Sequence, residues 1–217
     1  MSRPVKFGEE VSGYNIPVLN EREIRASAGI LFVFMFVSLM MIIFKGNFVM
    51  IKYVIMVFLT DMIVRVFISP KYSPTLIIGR LIVGRQNPEY VGAAQKRFAW
   101  MIGIVLATMM FFLMVVLNSY SVVSGLTCFV CLIFLFFESA FGICIGCVFY
   151  KLFYKEKAQY CPGEICDVKA KQDIQKVSLN QVVIVLAFIA MIILMTYLLN
   201  DVVSEKPGNL WELLNLK

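Results

Sequence analysis

The chain has 217 residues, of which 60% are apolar and 16% charged, with a formal net charge of +6 and no histidine. Soluble domains average about 45–50% apolar and about 25% charged residues, so this composition excludes an ordinary soluble domain and points to membrane helices. The basic residues flank the apolar blocks instead of interleaving with aromatics, which excludes a nucleic-acid surface. Without histidine, any metal or redox chemistry must rest on sulfur and carboxylate, and a haem site has no axial imidazole.

Residues 1–25 are a charged N-terminal segment. The first apolar run, Ala26–Phe44, closes in Phe44-Lys45-Gly46-Asn47 with no small-residue cleavage site, so it reads as a retained span and not a signal peptide. A second run covers Asn47–Ile68. The stretch Pro70–Arg97 is too broken for a span, because Ser69-Pro70 and Ser73-Pro74 form turns. Within it, Leu76, Ile77, Leu81 and Ile82 set against Arg80 and Arg85 predict a short interfacial helix on the inner surface, between spans two and three. Three more spans are predicted at Phe98–Leu117, Ser121–Phe153 and Leu179–Leu199. Each run holds the ~20 residues that cross ~30 Å of hydrocarbon at ~1.5 Å per residue. The fourth is longer than that, so tilt or emergence from the bilayer is expected. A cysteine-containing loop at 154–178 precedes the fifth span, and the tail at 200–217 carries Trp211 as an interfacial anchor. The expected fold is all-α: a polytopic integral membrane protein with a four-helix bundle over 26–153 and a fifth C-terminal span.

Alternate connections hold 15 of the 20 basic residues: Arg3 to Arg25, Lys71 to Arg97, and Lys151 to Lys176. The positive-inside rule then places the N-terminus in the cytoplasm and the C-terminus outside. Deep within the spans lie Asp61, Arg65 and Glu138. Charges at that depth cost a few kcal/mol if they face lipid, so they are expected to face the bundle interior with partners. Asp61 and Arg65 are i,i+4 neighbours, and Glu138 lies at nearly the depth of Arg65, which allows an Arg65–Glu138 bridge between helices. The trio reads either as a clamp on helix register or as a proton or anion path. Gly142-x-x-x-Gly146 suits close helix approach, expected here against the second helix.

All six cysteines fall in pairs: Cys128/Cys131, Cys144/Cys147 and Cys161/Cys166. The first pair reads as small apolar filler in a Phe-rich helix. A disulfide within a continuous helix is awkward, and Cys144 and Cys147 near a helix C-terminus lack the dipole that favours a thiolate. With Cys161 and Cys166 they form C-x2-C-x13-C-x4-C, four thiols able to hold zinc or an iron–sulfur centre. A structural disulfide is not expected in a reducing cytoplasm. Metal binding, reversible thiol or persulfide chemistry, and inert cysteines stay open at this point.

Asp61-x3-Arg65, Lys71-Tyr72-Ser73-Pro74, Lys96-Arg97-Phe98-Ala99 and Glu138-x3-Gly142-x-Cys144-x-Gly146-Cys147 resemble a bacterial membrane family, domain of unknown function 4395, over about Asn20–Phe153. The resemblance implies a four-helix integral-membrane domain without an established activity. It marks Asp61, Arg65, Glu138, Cys144 and Cys147 as the positions to test. The expected protein is a bacterial inner-membrane bundle with thiol, sulfane-sulfur or thiolate-metal chemistry at Cys144 and Cys147, partnered by a thiol or sulfur-carrier protein or by a second copy. A small transporter or channel using the charged trio, and a non-catalytic scaffold subunit, are the competing classes.

Overall fold

Capping side chains mark where most of the helices start. A computed structural model describes residues 7–146 and 176–210 of the chain. Asn20 caps α1, Glu21–Lys45, by accepting from the Arg22 amide. The apolar helix α2, Val49–Ile63, runs on through a wider π-turn at Val64–Ile68. Ser73 caps α3, Pro74–Val83, with proline in the first turn where its missing N–H costs nothing. Helix α4, Ala93–Phe111, and helix α5, Val122–Phe136, also end in π-turns, at Phe112–Val116 and Phe137–Phe141. Ser121 and Ser124 form a capping box at the start of α5. Ser178 and Gln181 do the same for α6, Leu179–Leu198, and a short helix, Asn200–Ser204, follows.

The helix ends sort onto two faces of the bundle. At one, β1 (Val18–Asn20) pairs antiparallel with β2 (Tyr90–Gly92), which joins the starts of α1 and α4. Gln181, fully buried, donates to the Lys71 carbonyl at 3.1 Å and brings the start of α6 to the same face. At the opposite face, β3 (Ser119–Tyr120) pairs with β4 (Gly208–Asn209). There the buried Lys52 donates to Asn118 Oδ1 at 2.8 Å and to the Glu205 carbonyl at 2.5 Å.

Four helices are long and apolar enough to cross a membrane: Glu21–Lys45, Ala93–Val116, Val122–Phe141 and Leu179–Leu198. The Val49–Ile68 run is helical but carries Lys52, Asp61 and Arg65 inward. Ile24, Leu31, Met35, Phe58, Trp100 and Met110 fill the centre, while Phe34, Val105, Phe129 and Leu186 face out. Helix α3 shows the inversion most plainly. Arg80 is 4% exposed, whereas Leu81 and Ile82 are each 61% exposed. Water would reward the opposite arrangement; a hydrocarbon solvent rewards this one, because apolar surface is free there and charge is not. The expected surface helix is therefore packed into the bundle through Leu76, Ile77 and Arg80, and only part of its apolar set faces away.

The fourth run departs furthest from expectation. It does not continue as one helix from Ser121 to Phe153: the helix ends at Phe141, and Gly142 takes the left-handed conformation, φ +67°. A Cβ-free residue adopts that conformation without steric cost, which lets the chain turn off the helix axis. Helical conformation resumes at Ile145 and Gly146, and the rest of the run lies outside the described residues.

Candidate functional site: a buried charge cradle and a cysteine lining a cavity

Asp61 and Arg65 come one turn apart on α2 and its π-turn, and both are almost fully buried. Arg65 Nε donates to Asp61 Oδ2 at 2.7 Å, and its Nη2 donates to the Ser27 hydroxyl and to Thr75 Oγ1. Asp61 accepts in addition from Ser73 Oγ and Thr75 Oγ1, both at 2.7 Å, and from the Thr75 amide at 3.1 Å. A carboxylate with this many donors and a guanidinium with this many acceptors can sit in an apolar bundle without exposure. The guanidinium also lies 5.1 Å from the Trp100 ring centroid, a cation–π contact. The cradle thus ties α1, α2, α3 and α4 together at one level.

A second node lies beside it. Lys96 Nζ sits 3.0 Å from Glu21 Oε1 and 2.8 Å from Glu138 Oε1, linking α4, α1 and the end of α5. A third is Arg80, which donates to Glu23 at 3.0 Å and stands 3.9 Å from Glu9. The N-terminal segment folds over these charges: Phe7 packs edge-on to Trp100, and Arg97 lies over the Phe7 ring. Burial raises the Glu9 carboxyl above its ordinary value of 4.5, against the opposing pull of Arg80 and Lys71.

The break at Gly142 delivers Cys144 to this assembly. The Arg25 side chain closes the end of the fourth helix by donating to the Ala140 carbonyl at 3.2 Å, and a Cβ on Gly142 would stand 3.2 Å from its Nη1. A Cβ on Gly146 would stand 2.5 Å from the Ala99 Cβ. The two glycines therefore seat the segment on α1 and α4, and not on the second helix as its small-residue spacing suggested. Cys144 is half-buried and disulfide-bonded. Together with Arg65, Trp100, Gly103, Cys131 and Glu138 it lines an interior cavity of about 50 Å³, room for a few waters.

Residues 19–155 match the family described as Domain of unknown function (DUF4395). The chain belongs to that family. No curated protein and no solved structure matches it. The family region stops short of the fifth apolar helix, Leu179–Leu198, and covers every residue of the cradle and the cavity.

Of the residues singled out in the sequence, Asp61 and Arg65 pair with each other, while Glu138 pairs with Lys96, so no Arg65–Glu138 bridge forms. Cys144 and Glu138 line the same cavity. Cys147, Cys161 and Cys166 lie outside the described residues. Among the described residues no three His, Cys, Asp or Glu side chains converge to hold a metal. Sequence reasoning missed Lys52, Glu21, Glu23, Ser27, Ser73, Thr75, Lys96 and Trp100. Two signals were available: Ser73 and Lys96 stand in the family-like motifs, where they read only as turn former and topological charge.

Proposed function

We propose that this DUF4395 member is a thiol–disulfide exchange protein of the bacterial inner membrane, with Cys144 as the exchanging sulfur. One observation carries the reading: the chain leaves its helix at Gly142 and sets a disulfide-bonded Cys144 half-buried on the wall of a largely apolar cavity that Arg65 and Glu138 also line. The geometric objection to a disulfide in this stretch assumed an unbroken helix, and that assumption fails. The charge pattern supports a cytoplasmic N-terminus and an external C-terminus across five spans, with Cys144 at the cytoplasmic end. Disulfides in that compartment are as a rule transient, serving catalysis or redox sensing.

In the exchange, a thiolate of a partner protein's dithiol attacks the Cys144 disulfide. A mixed disulfide forms, the second cysteine of this chain leaves as a thiolate and takes a proton, and the partner's other thiol completes the transfer. Two electrons and two protons pass to this chain. Glu138 and Lys96 place a carboxylate and an ammonium beside the cavity where such a proton can be held. Arg65 is satisfied by Asp61 and three hydroxyls, which leaves the anion-path reading with less support. A thiolate-bound zinc or iron–sulfur centre would need Cys144 reduced.

The test is alkylation of the purified protein by a mass-tagged maleimide before and after reduction. Cys144 is expected to be unreactive until a dithiol is added, and Cys144→Ser is expected to abolish mixed-disulfide capture with a thioredoxin-like dithiol protein. Full labelling of Cys144 without reductant, in protein isolated under acid quench, refutes the reading.

A further inference from the structure

The proposed exchange leaves Cys128 and Cys131 unused. Both are free thiols, 4% and 6% exposed, and their i,i+3 spacing puts them on one face of α5. Cys128 meets Met35 of α1, itself 4% exposed, with Cys128 Sγ 3.8 Å from Met35 Sδ. Two sulfurs bonded to one ion at about 2.3 Å, in tetrahedral to trigonal geometry, stand about 3.8–4.0 Å apart. Cys128 and Met35 are in sulfur–sulfur contact at a separation that two ligands on one metal can keep.

The surroundings select the kind of ion. The hydroxyls along these stretches are committed: Ser38, Ser124 and Thr127 each donate to a carbonyl of their own helix. What remains is two thiols and a thioether, a soft donor set. Structural zinc takes four ligands, and three sulfurs leave it one short, whereas copper(I) is satisfied by two or three sulfurs. A monovalent ion also needs only one thiolate to become neutral, which matters in an apolar bundle centre. The interior cavity reaches this helix face, since Cys131 is among the residues that line it.

We propose that Cys128, Cys131 and Met35 form a binding site for a soft monovalent metal ion, copper(I), loaded through the interior cavity. Binding breaks a thiol S–H bond, forms a metal–sulfur bond, and sends the proton out along the cavity; no electron moves.

The experiment uses full-length protein in detergent micelles with Cys144, Cys147, Cys161 and Cys166 replaced by serine, titrated with copper(I) against a competing chelator under reductant. In parallel, wild-type protein is reduced and its accessible thiols alkylated in the folded state, which covers the case where the four-serine protein does not fold. One ion per chain is expected in either form, with X-ray absorption showing sulfur neighbours only. Met35→Leu, which keeps the volume, is expected to weaken binding at least tenfold and to remove one sulfur from the spectrum. Cys128→Ala with Cys131→Ala is expected to abolish binding while the melting transition survives. No binding in either form, unchanged binding in the double-alanine protein, or oxygen and nitrogen neighbours overturns the proposal. Because the site is tested without Cys144, its failure leaves the exchange reading standing, and the converse holds.

Discussion

Replacing Asp61 by asparagine keeps the shape of the cradle and removes its charge. The carboxylate accepts from Arg65 Nε, Ser73 Oγ, Thr75 Oγ1 and the Thr75 amide. An asparagine amide offers one accepting oxygen, and its NH2 would point at a donor on the other side. More serious is Arg65, 2% exposed, left as an uncompensated cation. Breaking a buried pair by removing one partner costs about 3–5 kcal/mol, a large part of the 5–15 kcal/mol that holds a typical domain together. Asp61→Asn is therefore expected to lower thermal stability severely, read as the melting of purified protein in detergent. The double variant Asp61→Asn, Arg65→Met removes the orphaned charge, and it should be more stable than Asp61→Asn alone by about 2 kcal/mol or more. A double variant no better than the sum of its singles would refute the claim that charge pairing, and not side-chain volume, sets the value of this node.

Three further outcomes follow from the geometry. Gly146→Val forces a Cβ to within 2.5 Å of the Ala99 Cβ, an overpacking costing about 1–3 kcal/mol; Ala99→Gly in the same chain should recover part of the lost melting temperature. Gly103→Leu fills the cavity from α4, since a Cβ there points at Phe58 and Met62 at 3.8–3.9 Å; thiol exchange by a small dithiol from the cavity side should slow at least tenfold while the fold persists. For Glu9 the folded carboxyl is raised above 4.5 by burial. Its contribution to stability is thus present below that value and lost as pH rises through the raised one. Glu9→Gln is expected to flatten this part of the pH dependence of melting, and to leave the protein at least as stable as wild type at neutral pH.

The membrane-length helices could be read from the sequence because lipid demands a simple one-dimensional signal, a run of apolar residues long enough to span. Caps such as Asn20, Ser121 and Ser178 were equally local. Asp61 and Arg65 stood out for the same reason: charge in an apolar run is conspicuous wherever it ends up. Their partners were not legible. Ser27, Ser73, Thr75 and Lys96 are ordinary residues at helix ends and turns, and they gain meaning only when α1, α3 and α4 converge on one level.

The pairing of charges needed three dimensions, because helical depth fixes height in the bilayer but not azimuth around the bundle. Glu138 and Arg65 sit at similar depth, yet Glu138 faces Lys96. The break at Gly142 lay beyond the apolar pattern too. Hydrophobicity continues through Ile143 and Ile145, so the run itself favours an unbroken helix, and a single glycine is compatible with one. Arg25 on the helix end and Ala99 under Gly146 decide otherwise. Composition and periodicity determined what this chain dissolves in; packing between helices decided where its sulfur and its charges meet, since only neighbours distant in sequence can supply the contacts that turn a chain or satisfy a buried ion.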